Sequence, residues 1–274
     1  MNHLRTLVIG SLLIAVFLPI VWSGRAVGAP ASEQHLGASA GEKLHFQLHW
    51  LGMVAGEATL QMDGGNRGTY ALQLTLTSSG AARVVRAIDD QFTTGGERRG
   101  NWFIPQRYIK EQRRNEQTKW ITYPFDREMR QVPRTLRVQG EEQNEKTVVI
   151  PIGSDRVLDP LSTLYTLRAW PELRPDRALH WQVTEGEKVY CLTIQAGERQ
   201  QLQTELGDFS VVALRIAVDN SESFRQRGPI LFWVTDDARR LPIQIEAQLS
   251  FGAAVATLVA WEDGRGGQKR LPER

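Results

Sequence analysis

Gly37-Ala38-Ser39-Ala40-Gly41 spells G-x-S-x-G, the string in which a hydrolase presents a serine nucleophile. That serine needs a buried strand before it and a helix after it. Here the string follows an apolar leader and runs into a strand-like pattern, so a linker of small residues is the expectation. His45 and His49 stand four apart, but their neighbours alternate as in a strand. At about 3.3 Å per residue their Cα atoms lie about 13 Å apart, too far to share one zinc. Beyond residue 31 the other histidines are His35 and His180, so no metal site is expected. The doublets Asp89-Asp90 and Asp236-Asp237 offer the paired carboxylates of glycosidic chemistry. Each stands beside a turn or strand end, where aspartate serves local hydrogen bonds, and that role is expected of both. No glycine-rich phosphate loop followed by Lys-Ser/Thr occurs. The single cysteine, Cys191, forms no internal disulfide and reads as a small core residue of the run Val189 to Ile194. No catalytic residue and no cofactor is therefore expected.

Binding is the chemistry that remains. Leu158 to Trp170 carries Asp159 as an N-cap, Pro160 as the first helical residue and Pro171 as a stop, which predicts a helix of about three turns. At about 100° per residue Leu161, Leu164, Tyr165 and Arg168 share a face, placing a guanidinium in an apolar stripe. A buried guanidinium requires a partner, a route to the rim, or an anionic ligand. Asp89, Asp90 and Asp237 are the expected partners. Arg168, Tyr165, Ser162 and Trp170 are accordingly the candidate binding residues. Seven tryptophans follow residue 31, at 50, 102, 120, 170, 181, 233 and 261. They fill a large core or line a lipid-sized cavity.

The elements that position these residues are strands. Leu44 to Leu48, Tyr70 to Leu76 and Ile243 to Leu249 alternate apolar with polar. Turn signals separate such stretches at Asp63-Gly64-Gly65-Asn66, Gly95-Gly96, Glu185-Gly186, Gly207-Asp208 and Asp236-Asp237. Connections this short join antiparallel neighbours. The expectation is a mainly β fold: an antiparallel barrel-like or strongly curved sheet of roughly a dozen strands, with one short helix at 159–170.

The first residues resemble an export signal. Arg5 precedes an apolar run from Thr6 to Trp22, and Ala29-Pro30-Ala31 offers a small-x-small cleavage site. An uncleaved anchor is the alternative. Residues 1–31 are read as the signal, 32–40 as a flexible segment, 41–263 as one β-rich domain and 264–274 as a disordered basic tail. Removing residues 1–31 takes Arg5 and Arg25 and no acid, so 33 basic against 31 acidic side chains become equal numbers. A neutral protein lacks the charge that drives nucleic-acid binding. Glu97 to Arg137 nevertheless holds eleven Lys or Arg against five Asp or Glu, a basic strip.

With these elements placed, the chain resembles the bacterial exported family called domain of unknown function 3108. The resemblance lies in Gly41-Glu42-Lys43-Leu44 with Gly56-Glu57-Ala58, in the helix Asp159 to Arg168, and in Gly207-Asp208-Phe209. It closes with the stretch Phe232 to Pro242, which includes Trp233 and Asp237, and then Gly252. Asp159, Pro160, Trp233, Asp237, Pro242 and Gly252 are its structural positions. The resemblance implies an exported β-rich protein with no assigned activity. A periplasmic, non-catalytic binding or assembly module follows, with an envelope lipid or protein as partner and an apolar ligand if the interior is hollow. A hydrolase of an envelope polymer is one alternative; an outer-membrane barrel, disfavoured by heavily charged polar faces, is another.

Overall fold

A computed structural model describes residues 40–64, 68–85, 87–141, 146–154, 156–218, 228–249, 252–264 and 268–270. The expected export signal, His35 and Ser39 lie outside the described residues.

Alternation builds almost everything. In β1 (Glu42–Trp50) the side chains of Leu44 and Phe46 are buried, and in β3 (Thr69–Ser78) those of Tyr70, Leu72, Leu74 and Leu76. β2 (Met53–Gly64) joins the two, and β4 (Ile88–Arg99), β5 (Trp102–Arg114), β6 (Gln117–Pro124), β7 (Gln131–Val138) and β8 (Lys146–Pro151) continue the antiparallel meander. The chain then forms β9 (Val157–Leu158) and the principal helix. A second meander follows: β10 (Leu179–Glu185), β11 (Lys188–Thr204), β12 (Gly207–Val218), β13 (Ile230–Thr235), β14 (Pro242–Leu249) and β15 (Gly252–Asp263). β15 pairs with β1, so the two meanders fuse into a single curved sheet with β8 and β9 at its ends.

The expected mainly β curved sheet is present, with more strands than the dozen read from the sequence: sixteen are hydrogen-bonded among the described residues. One reason is that some turns carry little signal. Asn115 takes a positive φ at the β5–β6 connection, and Leu51 and Gly52 both do at the two-residue β1–β2 turn. Conversely, Gly95-Gly96, read as a turn, lies inside β4 as a bulge. A Cβ on Gly96 would stand 2.0 Å from the carbonyl oxygen of Ile104, so glycine serves close strand approach there. Part of the expected disordered tail is also structured: β16 (Gln268–Arg270) pairs with Ala260–Glu262 of β15. β14 accompanies β15 only as far as Thr257, which leaves that backbone edge open to β16. Besides the expected helix there is a one-and-a-half-turn α1 (Gly80–Val85), which rests against β2 and buries no side chain.

The sheet coils until its two arms meet, and side chains close it where the ladder does not. Lys110 of β5 forms a buried ion pair with Glu185 of β10. The Tyr123 hydroxyl donates to the carbonyl of Gly186 at 3.2 Å, and Arg134 reaches Glu187 at 3.2 Å. Arg127 donates to the carbonyls of Pro105 (2.9 Å) and Val157 (3.4 Å), tying β5 to β9. This seam sets the width of the interior.

Candidate functional site

The helix inside the coil, α2 (Pro160–Arg168), begins where the sequence places it. Asp159 is extended at φ −93° and ψ 170°, and its carboxylate accepts from the amides of Leu161 (2.8 Å) and Ser162 (3.1 Å). The same carboxylate accepts from the hydroxyls of Thr94 (2.8 Å) and Ser162. Burial pushes the Asp159 carboxyl above its ordinary value, and these four hydrogen bonds oppose the shift. Ser162 in turn bonds the Tyr70 hydroxyl at 2.7 Å, and Thr166 accepts from the amide of Phe103 at 3.0 Å. The helix is therefore bolted to β3, β4 and β5 through its polar side chains. Asp159→Ala removes the acceptor for two otherwise orphaned amides and two hydroxyls. We expect a loss of about 1–2 kcal/mol, read by equilibrium urea unfolding, with Asp159→Asn losing less.

Arg168, at the end of the helix, is fully buried. Its expected partners were Asp89, Asp90 or Asp237; the structure instead pairs it with Glu42. Nη1 donates to Glu42 Oε2 at 2.6 Å and Nη2 to Oε1 at 2.7 Å, a two-pronged contact. Nε donates to the carbonyl of Arg240 (3.0 Å) and Nη2 to that of Arg239 (3.2 Å). The guanidinium also stacks 4.9 Å from the ring centre of Tyr165, whose hydroxyl donates to Glu42 at 3.4 Å. Burial works against the charge of Arg168, but the Glu42 carboxylate outweighs it and holds the guanidinium protonated. Asp89 bonds Arg83, and Asp90 bonds Arg114 at 2.7 Å and Gln112 at 3.2 Å. Asp237 acts one step away. It accepts from Thr235 Oγ1 and the amides of Arg239 and Arg240, folding the loop whose carbonyls meet Arg168. Those bonds and the Arg239 guanidinium hold its carboxyl below the usual range despite partial burial, which acts the other way.

Two further expectations change. Asp90 is not a local turn residue: it is buried in β4 opposite Gln112, because strand parity turns it inward with Ile88 and Phe92. Cys191 is exposed rather than core, because Tyr190 and Leu192 take the inward positions of β11. The structural positions of the closing stretch are placed as follows. Trp233 is half-buried against the core, Pro242 is buried where β14 shifts register against β13, and Gly252 opens β15 at φ +118°. A Cβ on Gly252 would meet the Leu51 side chain at 2.2 Å and Trp50 Nε1 at 3.3 Å.

The side of α2 away from the polar bolts is largely apolar, and it borders a cavity as well as the core. Leu161, Leu164 and Leu167 lie on the arc opposite Ser162 and Thr166. They roof a cavity whose floor is built by inward residues of both meanders, among them Phe46, Leu60, Phe92, Phe232 and Ile245. The accessible cavity is about 110 Å³, and the empty space including its open mouth is about 1150 Å³. Almost all of the lining is apolar. Tyr108, Thr163 and Glu185 are the polar members, and burial keeps the Tyr108 hydroxyl far above its ordinary value and so neutral. Tyr165, Ser162 and Arg168 thus position the helix and line none of the cavity, although helical spacing sets Arg168 on the arc of Leu161 and Leu164, toward the C-terminal end of the helix. Trp170 points elsewhere, into a cluster with Trp102 and Trp181 beyond the helix end. Sequence reasoning missed Glu42, although its period-two spacing from Leu44 and Phe46 marks it as inward-facing.

A solved structure shares this architecture. A β-barrel-like protein of domain of unknown function DUF1849 from Brucella abortus aligns over 82% of this chain and 98% of its own, at 11% identity and a TM-score of 0.57. A protein described as exported, with a YmcC-like fold, from Bacteroides fragilis aligns over 82% and 96%, at 8% identity and a TM-score of 0.32. A protein described as a lipoprotein from Parabacteroides distasonis gives the same coverage, identity and score. No curated protein matches the sequence. The family profile of the proteins of unknown function DUF3108 spans residues 45–259, from β1 to β15, and the chain belongs to that family.

Proposed function

We propose that this protein is a non-catalytic binding module of the bacterial cell envelope that takes an apolar, lipid-like chain into the cavity beneath α2. The observation that carries the reading is the orientation of the helix. Ser162, Thr166 and Arg168 are engaged by the protein, while Leu161, Leu164 and Leu167, which touch the core at their flanks, leave an unfilled cavity beneath them. A helix packed only for stability would leave no unfilled volume beneath its leucines, since interiors are close-packed and each void weakens the fold. An apolar occupant removes that penalty and gains about 25 cal/mol for each Å² it shields.

The periplasmic setting rests on the signal-like N-terminus. Among the described residues no helix is long and apolar enough to cross a membrane. An outer-membrane barrel fits poorly, because the seam between β5 and β10 is closed by side chains, and lipid-exposed strands require a closed ladder. The hydrolase reading needs two carboxylates converging at an open cleft. Asp90 is instead bound to Arg114 and Gln112, and Asp237 organises its own turn.

The test combines native mass spectrometry of protein purified without detergent with titration of delipidated protein by cis-parinaric acid. Saturable uptake is expected, and Leu164→Asp, which places a charge on the cavity roof, should weaken it at least tenfold, about 1.4 kcal/mol. A ligand-free mass together with no uptake would overturn the reading.

A further inference from the structure

A second cleft lies beyond the C-terminal end of α2 and shares no lining residue with the apolar cavity. Its volume is about 450 Å³, within the range of ~300–1,000 Å³ typical of small-molecule sites. One wall is a cluster of three indoles. Trp102 and Trp170 meet edge to face with ring centres 5.4 Å apart, Trp170 and Trp181 at 5.3 Å, and Trp102 and Trp181 at 5.5 Å. Three separate elements supply them: Trp102 opens β5, Trp170 follows α2, and Trp181 lies in β10. Trp102 and Trp170 remain partly exposed although they sit against the core.

The rim of the same cleft is basic. Arg156 holds its guanidinium 5.2 Å from the ring centre of Trp102, and Arg177 lines the cleft. Among the described residues neither guanidinium has a carboxylate partner. Among the described residues the nearby acids Glu172 and Asp176 both pair with Arg174, each at 3.4 Å. Exposed His180 and the side chains of Ser154 and Gln182 complete the polar lining.

We propose that this cleft binds an anionic saccharide, a sugar ring bearing a carboxylate or a phosphate. Arginine's planar fork matches either group with paired hydrogen bonds. Indoles supply an apolar surface for the C–H face of a sugar ring, while Ser154 and Gln182 meet its hydroxyls. A bare inorganic anion would leave the aromatic wall unused. An alkyl chain would leave both guanidiniums unmatched. The proposal is independent of lipid binding beneath α2.

Isothermal titration and tryptophan fluorescence of the intact protein test it. The probes are tri-galacturonic acid, which carries carboxylates, and glucose 6-phosphate, which carries a phosphate; the comparators are maltotriose and a hexaglutamate peptide. Saturable binding by at least one anionic sugar is expected, at least tenfold tighter than either comparator, and the sugar that binds identifies the anionic group. Arg156→Gln/Arg177→Gln changes two exposed side chains and should reduce that affinity at least tenfold, whereas Leu164→Asp should leave it unchanged. The proposal is overturned by the absence of saturable binding, by hexaglutamate or maltotriose binding as tightly, or by full affinity in the double arginine variant.

Discussion

Glu42→Ala should lower stability by about 3–5 kcal/mol in equilibrium urea unfolding, a fall in Tm of about 10 °C. The cause is not the loss of attraction alone. Arg168 is fully buried, and without Glu42 its charge would face only the carbonyls of Arg239 and Arg240 and the Tyr165 ring. An uncompensated buried cation is far costlier than a missing ion pair. Replacing both partners, as Glu42→Leu/Arg168→Met, should therefore restore at least half of the loss. Recovery should remain incomplete, because the two loop carbonyls then lack their donor. A Glu42→Ala protein within 1 kcal/mol of the parent would show that the guanidinium has another route to solvent.

The second large effect is expected at the seam. Lys110→Met leaves Glu185 buried without the cation it pairs with, again a change of about 3–5 kcal/mol. Here the location makes the outcome specific. Lys110 and Glu185 join β5 to β10 where no backbone ladder does, so their separation loosens one arm of the coil before the rest. Hydrogen exchange followed by mass spectrometry should show faster exchange in β10 and in the Gly186–Glu187 turn, with β1 to β3 unchanged. Lys110→Met/Glu185→Met should slow it again, since an apolar pair of similar volume closes the seam without a buried charge. Uniformly faster exchange along the whole chain would mean that the pair supports global stability rather than the seam.

The first prediction concerns a pair that sequence reasoning reaches only halfway, the second one that it does not reach at all. Arg168 was recognisable as a problem, because helical spacing sets a guanidinium among leucines. Its partner was not, because Glu42 stands 126 residues away and meets the helix only after β1 has paired with β15 and the sheet has coiled. The Asp90 side chain was misplaced for a related reason. Beside Asp89 it resembled a turn doublet, yet the register of β4 against β5 turned it toward Gln112 and Arg114. For Cys191 the alternating run was correctly recognised and its phase was not. In a strand, a phase error of one residue exchanges the inside for the outside.

Local chemistry by itself determined a good deal. Period-two alternation specified strands because a strand can bury only every second side chain, and Asp159-Pro160 specified where α2 begins because a helix start needs an acceptor and tolerates proline. Tertiary structure alone decided how the two arms close, which carboxylate neutralises Arg168, and that the leucines of α2 face a cavity. These outcomes depend on contacts between residues far apart in the chain and on the space left between coiled strands. No local pattern encodes that space: the same leucines would read identically whether packed or facing a void.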